Sequence, residues 1–388
     1  MNPIIYAIPV FMLTVTFEFW WAYRFRGNLT PAAGGGMRQI YNFSDSASSL
    51  MIGVLSRVAS AFPRILTVGI YIAVYQSFAT MTWDTKSPVA WLLAFLLYDF
   101  LYYWKHRANH EVRIMWAGHI THHNSEYFNL STALRQASTT FVFDWIFYLP
   151  MAVMGIPWQM FVLVALGNLL YQYWVHTELI GRLGWFDRVF VSPSNHRVHH
   201  GQDDYCIDKN YGGVFVFWDR FFGTFADEHV DGNGKPLPIS YGVRTSLKSL
   251  NPLWGNLHYY VEIWRDLKAA KGLAAKLDTL FAPPSGWTDE HLNRFDAAQF
   301  VRYDVPVSKP LRAYVLLQML ITFLALCGFL YVFPKLGALP AALLGVWMTA
   351  ALVAPVAQLE SRRWGQWLEA TRWVALLPLL WFIGVRGA

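Results

Sequence analysis

Nine of the twelve histidines of the chain lie between positions 106 and 200, and eight of them form three tight groups. The groups read His106-Arg-Ala-Asn-His110, His119-Ile-Thr-His122-His123 and His196-Arg-Val-His199-His200. Residues three or four apart lie on one face of a helix, so each group can direct two or more imidazoles at one point. Neutral imidazole is the commonest metal ligand, and eight imidazoles exceed what one metal ion normally takes. The spacing therefore predicts a two-metal site.

The residue types around these groups favour iron. The only cysteines, Cys206 and Cys327, are too few for a disulfide framework or a cysteine-ligated zinc or iron–sulfur site. Few carboxylates lie in the groups, which disfavours calcium and magnesium. Zinc usually takes four ligands, and Ile114 stands where a zinc-protease motif starting at His110 would need a second histidine. Two irons can bind and activate O2, chemistry that attacks unactivated C–H bonds in lipids, so we predict a di-iron centre.

The composition indicates an integral membrane protein. The chain of 388 residues is 55% hydrophobic and 14% charged, whereas soluble domains have about 25% charged residues. It carries 19 Trp, which suits membrane interfaces, and its mean hydropathy is +0.28. The net charge of +6 is distributed beside apolar runs, which suits anionic lipid headgroups and excludes nucleic acid as the expected partner.

Eight apolar segments are candidate membrane spans, since a helix needs about 20 apolar residues to cross a bilayer. They are 3–22, 64–81, 87–104, 141–154, 157–175, 313–333, 339–357 and 373–386, of which 141–154 and 373–386 are short. The breaks at Pro150, Gly155 and Pro157 predict a helical hairpin over 141–175. The first run lacks signal-peptide features and is expected to be retained. Residues 46–62 are amphipathic and are expected to form an interfacial or buried helix.

These segments predict an all-α membrane bundle with a histidine-rich cap. Basic residues follow the first, third, fifth and seventh segments, so the positive-inside rule places the histidines on the cytoplasmic face, in a bacterial inner membrane or the endoplasmic reticulum. The polar region 176–310 is expected to form helices and loops over the bundle. We divide the chain into N-terminal spans (1–86), a histidine-box oxygenase domain (87–310) and C-terminal spans (311–388).

A lone histidine and four acids are further candidates for the metal site. His176, at the end of the predicted hairpin, could be a ninth ligand or a capped core histidine. Asp99 lies deep in an apolar segment and needs a partner there, so we expect it to accept the second ring N–H of a metal-bound histidine. Asp203, Asp204 and Asp208 follow the third group and could orient its imidazoles, although at least one of them is expected to be solvated.

Other polar residues near the groups have competing interpretations. Glu111 and Glu126 could ligate, bridge or shuttle protons as catalytic residues, or lie solvated at the membrane surface. Asn129 and Arg135 could bind a headgroup or cofactor, since Arg suits anions, or act as a helix cap and an interfacial anchor. The aromatic residues of the predicted hairpin could line an acyl channel or face lipid, among them Trp145, Phe147, Tyr171 and Trp174.

Around these residues the chain resembles the fatty acid hydroxylase/sterol desaturase superfamily, whose three histidine boxes have this order and spacing. Two runs narrow the resemblance to the ether-lipid-cleaving alkylglycerol monooxygenase family: Asn129-Leu-Ser-Thr-Ala-Leu-Arg-Gln136 and Tyr205-Cys-Ile-Asp-Lys-Asn-Tyr-Gly212. The similarity is dense over 90–260 and loose over the three C-terminal spans. Asn195 is a departure, because the resemblance leads us to expect a further histidine before His196.

The resemblance implies a membrane di-iron mono-oxygenase with O2 as co-substrate. It would hydroxylate the ether-bearing carbon of an alkylglycerol, and the product would collapse to a fatty aldehyde and glycerol. The family also implies tetrahydrobiopterin as the electron donor, for which the chain offers no motif of its own.

Two alternative functions remain open at this point. The same iron pair could hydroxylate or desaturate a fatty acyl, sterol or aminolipid substrate, because selectivity depends on the acyl channel. A membrane haem or metal-transport protein could also use histidine pairs, but it would place them on separate helices at mid-membrane depth. The tight groups at one face favour the oxygenase.

Overall fold

The computed structural model describes residues 4–284 and 295–386, and within these ranges the chain is mainly helical. The structure does not describe residues 1–3, 285–294 and 387–388, which belong to the predicted N-terminal, histidine-box and C-terminal domains, respectively. The helices are α1 (Ile4–Arg26), α2 (Phe43–Ala61), α3 (Arg64–Phe78), α4 (Pro88–Glu111), α5 (Arg113–His123), α6 (Leu130–Ala133), α7 (Leu149–Val153), α8 (Trp158–Trp174), α9 (Pro193–His200), α10 (Phe217–Phe222), α11 (Pro252–Ala269), α12 (Gly272–Phe281), α13 (Lys309–Val332), α14 (Ala338–Leu359) and α15 (Trp364–Arg386).

A short antiparallel hairpin, which the sequence did not predict, follows α1. Its strands are β1 (Leu29–Pro31) and β2 (Met37–Gln39), and Thr30 pairs with Arg38. Asn28, in the left-handed region at φ 59°, turns the chain out of α1. The Asn28 side chain donates to the Tyr41 carbonyl and accepts from the Tyr41 N–H, so it ties both ends of the hairpin together.

Three of the described helices are long and apolar enough to cross a membrane: α1, α13 and α14. Helices α2 and α3 together make a fourth candidate, bent by 49° at their junction. The protein is therefore an integral membrane protein, and the predicted all-α membrane bundle is confirmed. Helices α4 and α8 lie where spans were predicted, but α8 has only 17 residues and α4 carries Asp99 and Lys105.

The prediction of a helical hairpin over 141–175 is wrong in its first arm. Short 3₁₀ turns at Thr140–Val142 and Asp144–Tyr148 lead into the five-residue helix α7. Gly155 ends α7 in a left-handed conformation, at φ +81°, and a Cβ there would lie 1.8 Å from the Met81 carbonyl oxygen. The chain therefore turns tightly at Gly155, and α8 is the only long helix that the structure places in this stretch.

Two apolar cores hold the membrane helices. One core joins α2 with α13 and α14 through residues such as Met51, Phe329 and Met348. The other joins α3, α4, α7 and α8, where Tyr71 and Met151 are buried. A smaller cluster packs α5 against α11. The histidine-bearing helices α4 and α5 are therefore each fixed by a separate apolar contact surface.

Candidate metal centre

The first two histidine groups are brought together by a break between two helices. Val112, with φ −120° and ψ 116°, is extended, so α4 stops after Glu111 and α5 starts in a new direction. Helix α4 packs against α5 across this corner. His106 and His110 in the last turns of α4 therefore face the three histidines of α5.

The third group lies on α9, a buried helix of eight residues with a capping box. The Ser192 side chain accepts the Asn195 N–H, and the Asn195 side chain accepts the Ser192 N–H, so both helix-end donors are satisfied. Pro193 occupies the first helical turn. Asn195 therefore has a structural role at the helix start, which accounts for the departure from the expected histidine.

The nine histidines form two adjacent groups, within each of which the ligand atoms lie within 4.8 Å of one another. The group of five consists of His106, His110, His119, His123 and His199. The group of four consists of His122, His176, His196 and His200. The boxes of α5 and α9 are thus each divided between the groups, and the His123 and His200 rings stack at 4.4 Å across the boundary. The structure brings His176 into the group of four.

Within each group the Nε2 atoms converge at short distances. In the group of five, Nε2 of His119 lies 3.0 Å from that of His106 and 3.2 Å from that of His123. In the group of four, Nε2 of His176 lies 2.9 Å from that of His196 and 3.2 Å from that of His122. Each group therefore collects its nitrogen atoms around one point.

The backbone fixes the tautomer of four of these rings, because a carbonyl oxygen can only accept a hydrogen bond and the ring Nδ1 must carry the proton. The Nδ1 atoms of His106, His122, His176 and His199 donate to carbonyl oxygens at 2.8–3.0 Å. The acceptors are the carbonyls of Tyr211, Arg135, Gln172 and Lys209. In the neutral ring this leaves Nε2 unprotonated, as a metal ligand requires.

Burial keeps the imidazoles neutral. The pKa of each of the nine is lowered, chiefly because burial disfavours the charged form, to about 4 for His122 and about 3 for His199. Nε2 of His199 is buried with no hydrogen-bond partner among the described residues. His122 Nε2 and His176 Nε2 are both unprotonated by their Nδ1 contacts and lie 3.2 Å apart, so they cannot hydrogen-bond to each other, whereas a cation between them would satisfy both. The residues therefore fit two metal ions with nitrogen ligands.

The loop 208–215 supplies two of the carbonyl acceptors, and two buried acids hold it. Asp219 accepts the N–H groups of Tyr211 and Gly212, at 2.7 and 2.8 Å. Asp99 accepts those of Val214 and Phe215, at 2.8 and 3.1 Å. Asp99 therefore contacts no histidine, contrary to expectation, because it lies two helical turns before His106 and reaches the loop instead.

Glycine at position 213 is required by this close approach. A Cβ on Gly213 would lie 2.8 Å from Asp99 Oδ1 and 2.8 Å from a ring carbon of Tyr102. Both neighbours are on α4, so the loop is pressed directly against the helix that carries His106.

Buried ion pairs and hydrogen bonds that the sequence did not reveal hold the segment around His176. Glu18 of α1 accepts hydrogen bonds from Thr177 Oγ1 and from the Leu130 N–H. Arg197 of α9 pairs with Glu228 at 2.6 Å and donates to the Thr177 carbonyl. Residues of α1 and α9 therefore both hydrogen-bond to Thr177, the residue after His176. The role of Glu18 could have been suspected from the sequence, because an acid inside an apolar helix needs a polar partner.

The other predicted acids do not join the histidine groups. Asp203 accepts the Ser240 N–H, and Asp204 is largely exposed beside Arg244. Asp208 alone approaches a histidine, with Oδ1 3.9 Å from His110 Nδ1, and burial raises the pKa of Asp208 to about 7.

The predicted catalytic glutamates are likewise held by other partners. Glu111 pairs with Arg107 at 2.9 Å, one helical turn before it on α4. Glu126 is buried and accepts hydrogen bonds from Ser246 and from the Tyr303 N–H. Neither carboxylate belongs to a histidine group, so neither bridges the two groups in this arrangement.

Asn129 and Arg135, predicted to hold a cofactor or headgroup, lie inside the protein with protein partners. Asn129 caps α6 and donates to the Ile40 carbonyl. Arg135 is 2% exposed and donates to the Thr121 carbonyl at 2.8 Å and to Ser48 at 3.3 Å. The Arg135 backbone serves the site through its carbonyl, which accepts from His122.

A cavity of about 510 Å³ connects the apolar helices with the histidines. Its apolar walls come from α1, α2, α3, α4, α8 and α13. Five histidines are among its lining residues: His106, His119, His122, His176 and His196. Known ligand pockets have volumes of about 300–1,000 Å³. The aromatic residues proposed from the sequence, Trp145, Phe147, Tyr171 and Trp174, are not among its lining residues, whereas Tyr98, Tyr102 and Phe161 are.

A small cleft of about 20 Å³ contacts three other histidines: His110, His123 and His199. Polar residues such as Gln202 and Arg244 share its wall. The apolar cavity therefore reaches histidines of both groups, whereas the polar cleft reaches histidines of the group of five. A haem does not fit, because His176 Nε2 and His196 Nε2 are 2.9 Å apart and leave no room for a porphyrin between them.

Comparisons with known proteins agree with this site. Residues 91–224 match the family model described as fatty acid hydroxylase. The chain is 44% identical over 243 residues to an alkylglycerol monooxygenase of Homo sapiens, covering 63% of this chain and 53% of the relative. It is 43% identical over 249 residues to an alkylglycerol monooxygenase of Xenopus tropicalis, covering 64% of this chain and 54% of the relative. It is 39% identical over 283 residues to that of Danio rerio, covering 71% of this chain and 61% of the relative.

The chain thus spans between half and two thirds of the length of these relatives. No solved structure matches it. The family comparison covers α4 to α10, including all nine histidines of the two groups. The resemblance found in the sequence is therefore confirmed: residues 91–224 match the fatty acid hydroxylase family, and the longer region around them is similar to alkylglycerol monooxygenases.

Proposed function

We propose that the protein is a membrane mono-oxygenase that binds two irons and cleaves the ether bond of alkylglycerols. The observation that supports the proposal is that a pair of all-histidine groups adjoins a largely apolar cavity, and five of those histidines line that cavity. The names of the relatives supply the substrate class.

The proposed reaction consumes one O2, two electrons and two protons. One oxygen atom enters the C–H bond of the carbon next to the ether oxygen, and the other leaves as water. The resulting hemiacetal breaks its C–O bond to give a fatty aldehyde and glycerol. Tetrahydrobiopterin, or another two-electron donor, supplies the electrons. Irons bound at the two groups would supply the activation of O2.

The residues of the chain hold and separate the reactants. Backbone carbonyls orient the imidazoles. The phenyl ring of Phe128 packs against His200, with 5.1 Å between the ring centroids, and would limit the access of water to that imidazole. The lipid would enter from the membrane helices, and the reductant would donate its electrons from outside the protein, on the side of the cleft beside Gln202 and Arg244. By the positive-inside rule, that cleft would face the cytoplasm.

The test is a product assay with the iron-loaded, purified protein. A long-chain alkylglycerol, O2 and a reduced pterin should yield fatty aldehyde carrying one oxygen atom from ¹⁸O-labelled O2. The His122→Ala and His199→Ala variants, one from each group, should yield none. If a fatty acyl, sterol or aminolipid substrate gains oxygen or a double bond while no aldehyde forms, the alternative hydroxylase or desaturase function replaces ether cleavage.

A further inference from the structure

The cavity wall contains a compact polar cluster immediately beside the histidines. Lys105 and Asp144 both line the cavity, and Lys105 Nζ lies 3.3 Å from Asp144 Oδ2. Asn109 also lines it and hydrogen-bonds to Asp144. The ion pair is mostly buried, with 14% of the Lys105 side chain and 22% of the Asp144 side chain exposed.

The cluster adjoins the group of five because of its position on α4. Lys105 directly precedes His106, and Asn109 follows His106 by three residues and so shares its face of the helix. His106 Nε2 in turn lies 3.0 Å from His119 Nε2. The three residues of the cluster and five of the histidines therefore line the same cavity, so a ligand bound to the cluster shares that space with the histidines.

We propose that Lys105, Asn109 and Asp144 form a subsite that holds the uncharged hydroxyl end of the lipid and thereby selects the first carbon of the alkyl chain for oxidation. This inference rests on the proposed function and deepens it. With its polar end held here, the lipid presents the carbon next to its headgroup to the histidines. The remainder of the chain extends along the apolar walls of α1, α8 and α13.

The charge of the cluster favours a hydroxyl over a phosphate. Lys105 and Asp144 neutralise each other, and together with Asn109 they offer both donors and acceptors, which a diol can satisfy. A phosphate would have to displace the Asp144 carboxylate from Lys105 and leave a buried acid without its cation, which is costly. Arg57, on α2, also lines the cavity and gives a competing place for an anionic headgroup.

Two lipids with the same alkyl chain distinguish the contribution of the headgroup to binding from that of the chain. One is an alkylglycerol, and the other is the corresponding alkyl methyl ether, which has no hydroxyl groups. In Asp144→Asn and in Asn109→Leu, we expect the KM for alkylglycerol to rise about tenfold, since one hydrogen bond to a buried polar group is lost. The KM for the methyl ether should stay the same, and kcat should change less than KM. Asp227→Asn, at an exposed ion pair with Arg182, is the matched control.

A binding measurement gives a second readout that needs no turnover. In the metal-free protein, alkylglycerol should raise the Tm more than the methyl ether does, and Asp144→Asn and Asn109→Leu should remove that difference. Equal effects of both lipids in the wild type would overturn the subsite, as would an alkylglycerol preference that persists in both variants or is lost in Arg57→Met instead. If the wild type oxidises neither lipid but keeps the Tm difference, the subsite stands and the proposed function fails.

Discussion

The Nε2 atoms of His122 and His176 lie 3.2 Å apart although neither ring has a proton to place between them. The Nδ1 of His122 donates to the Arg135 carbonyl, and the Nδ1 of His176 donates to the Gln172 carbonyl. Two lone pairs facing each other in a buried site are repulsive, and a bound cation converts that repulsion into ligation. This pair joins α5 to the end of α8, so the group of four needs both helices.

Removal of His176 tests the proposed ligand that belongs to no histidine box. His176→Ala leaves three ligands in the group of four and leaves the group of five intact. We expect the bound iron to fall to about half of the wild-type content and turnover to be lost. His229→Ala, which removes an exposed histidine outside both groups, is the control. Full iron content in His176→Ala would exclude His176 as a ligand.

Asp219 tests whether the loop 208–215 serves the metal site. Asp219→Asn weakens the hydrogen bonds that hold Tyr211, whose carbonyl orients His106. Loss of such an orienting contact typically costs about 10–100-fold in metal affinity or activity. The loss should fall on the group of five, because Tyr211 contacts no histidine of the group of four by hydrogen bonding. Metal titration would contradict this role if both affinities were unchanged.

The contact of the same loop with α4 gives a stability prediction. Gly213→Ala places a methyl group 2.8 Å from Asp99 Oδ1, so loop and helix must separate. We expect the free energy of unfolding to fall by about 1–3 kcal/mol, as in other overpacked sites. Gly232→Ala is the matched control, because a Cβ there meets nothing within 4 Å. Equal Tm values for the two variants would show that the loop can move away from α4 without a loss of stability.

The pH dependence of the metal-free protein follows from the lowered pKa values. The folded pKa values of His122 and His199 are about 4 and about 3, against 6.5 for an unperturbed imidazole. As the pH falls below 6.5, the unfolded state takes up protons that the folded state does not. The contribution of these two imidazoles to the free energy of unfolding should therefore fall as the pH is lowered from 6.5 to about 3.

Thermal unfolding of chelator-treated protein at several pH values checks this slope. Buried acids with raised pKa values, such as Asp208, act in the opposite direction. His122→Gln isolates the imidazole contribution, because it removes one titrating ring and should flatten the slope. A slope that is unchanged in this variant would show that the histidine does not titrate as described.

The sequence predicted much of the site because imidazole ligands are identified by type and spacing. It predicted the helices that carry the boxes and gave His176 as an open alternative. It could not predict how the boxes divide, with His119 and His122 in different groups, because that depends on the angle between α5 and α9. The helix break at Val112 sets the direction of α5, and no glycine or proline at this position indicates it in the sequence.

The roles of the acids were harder to predict because long-range partners decide them. Asp99 was correctly singled out as needing a partner, but the partner is the backbone of a loop more than a hundred residues later. The predicted orienting acids were replaced by backbone carbonyls, which no sequence pattern marks. Arg135 illustrates the difference, since its side chain is structural and its carbonyl serves the site.

The metal content of the purified wild-type protein tests the two-group metal centre most directly. Elemental analysis with Mössbauer spectroscopy should find two irons per chain, one for each histidine group. His199→Ala and His122→Ala should each lower that number. A single zinc per chain with no iron, unchanged by iron supplementation during expression, would contradict the di-iron centre and the oxygenase function with it.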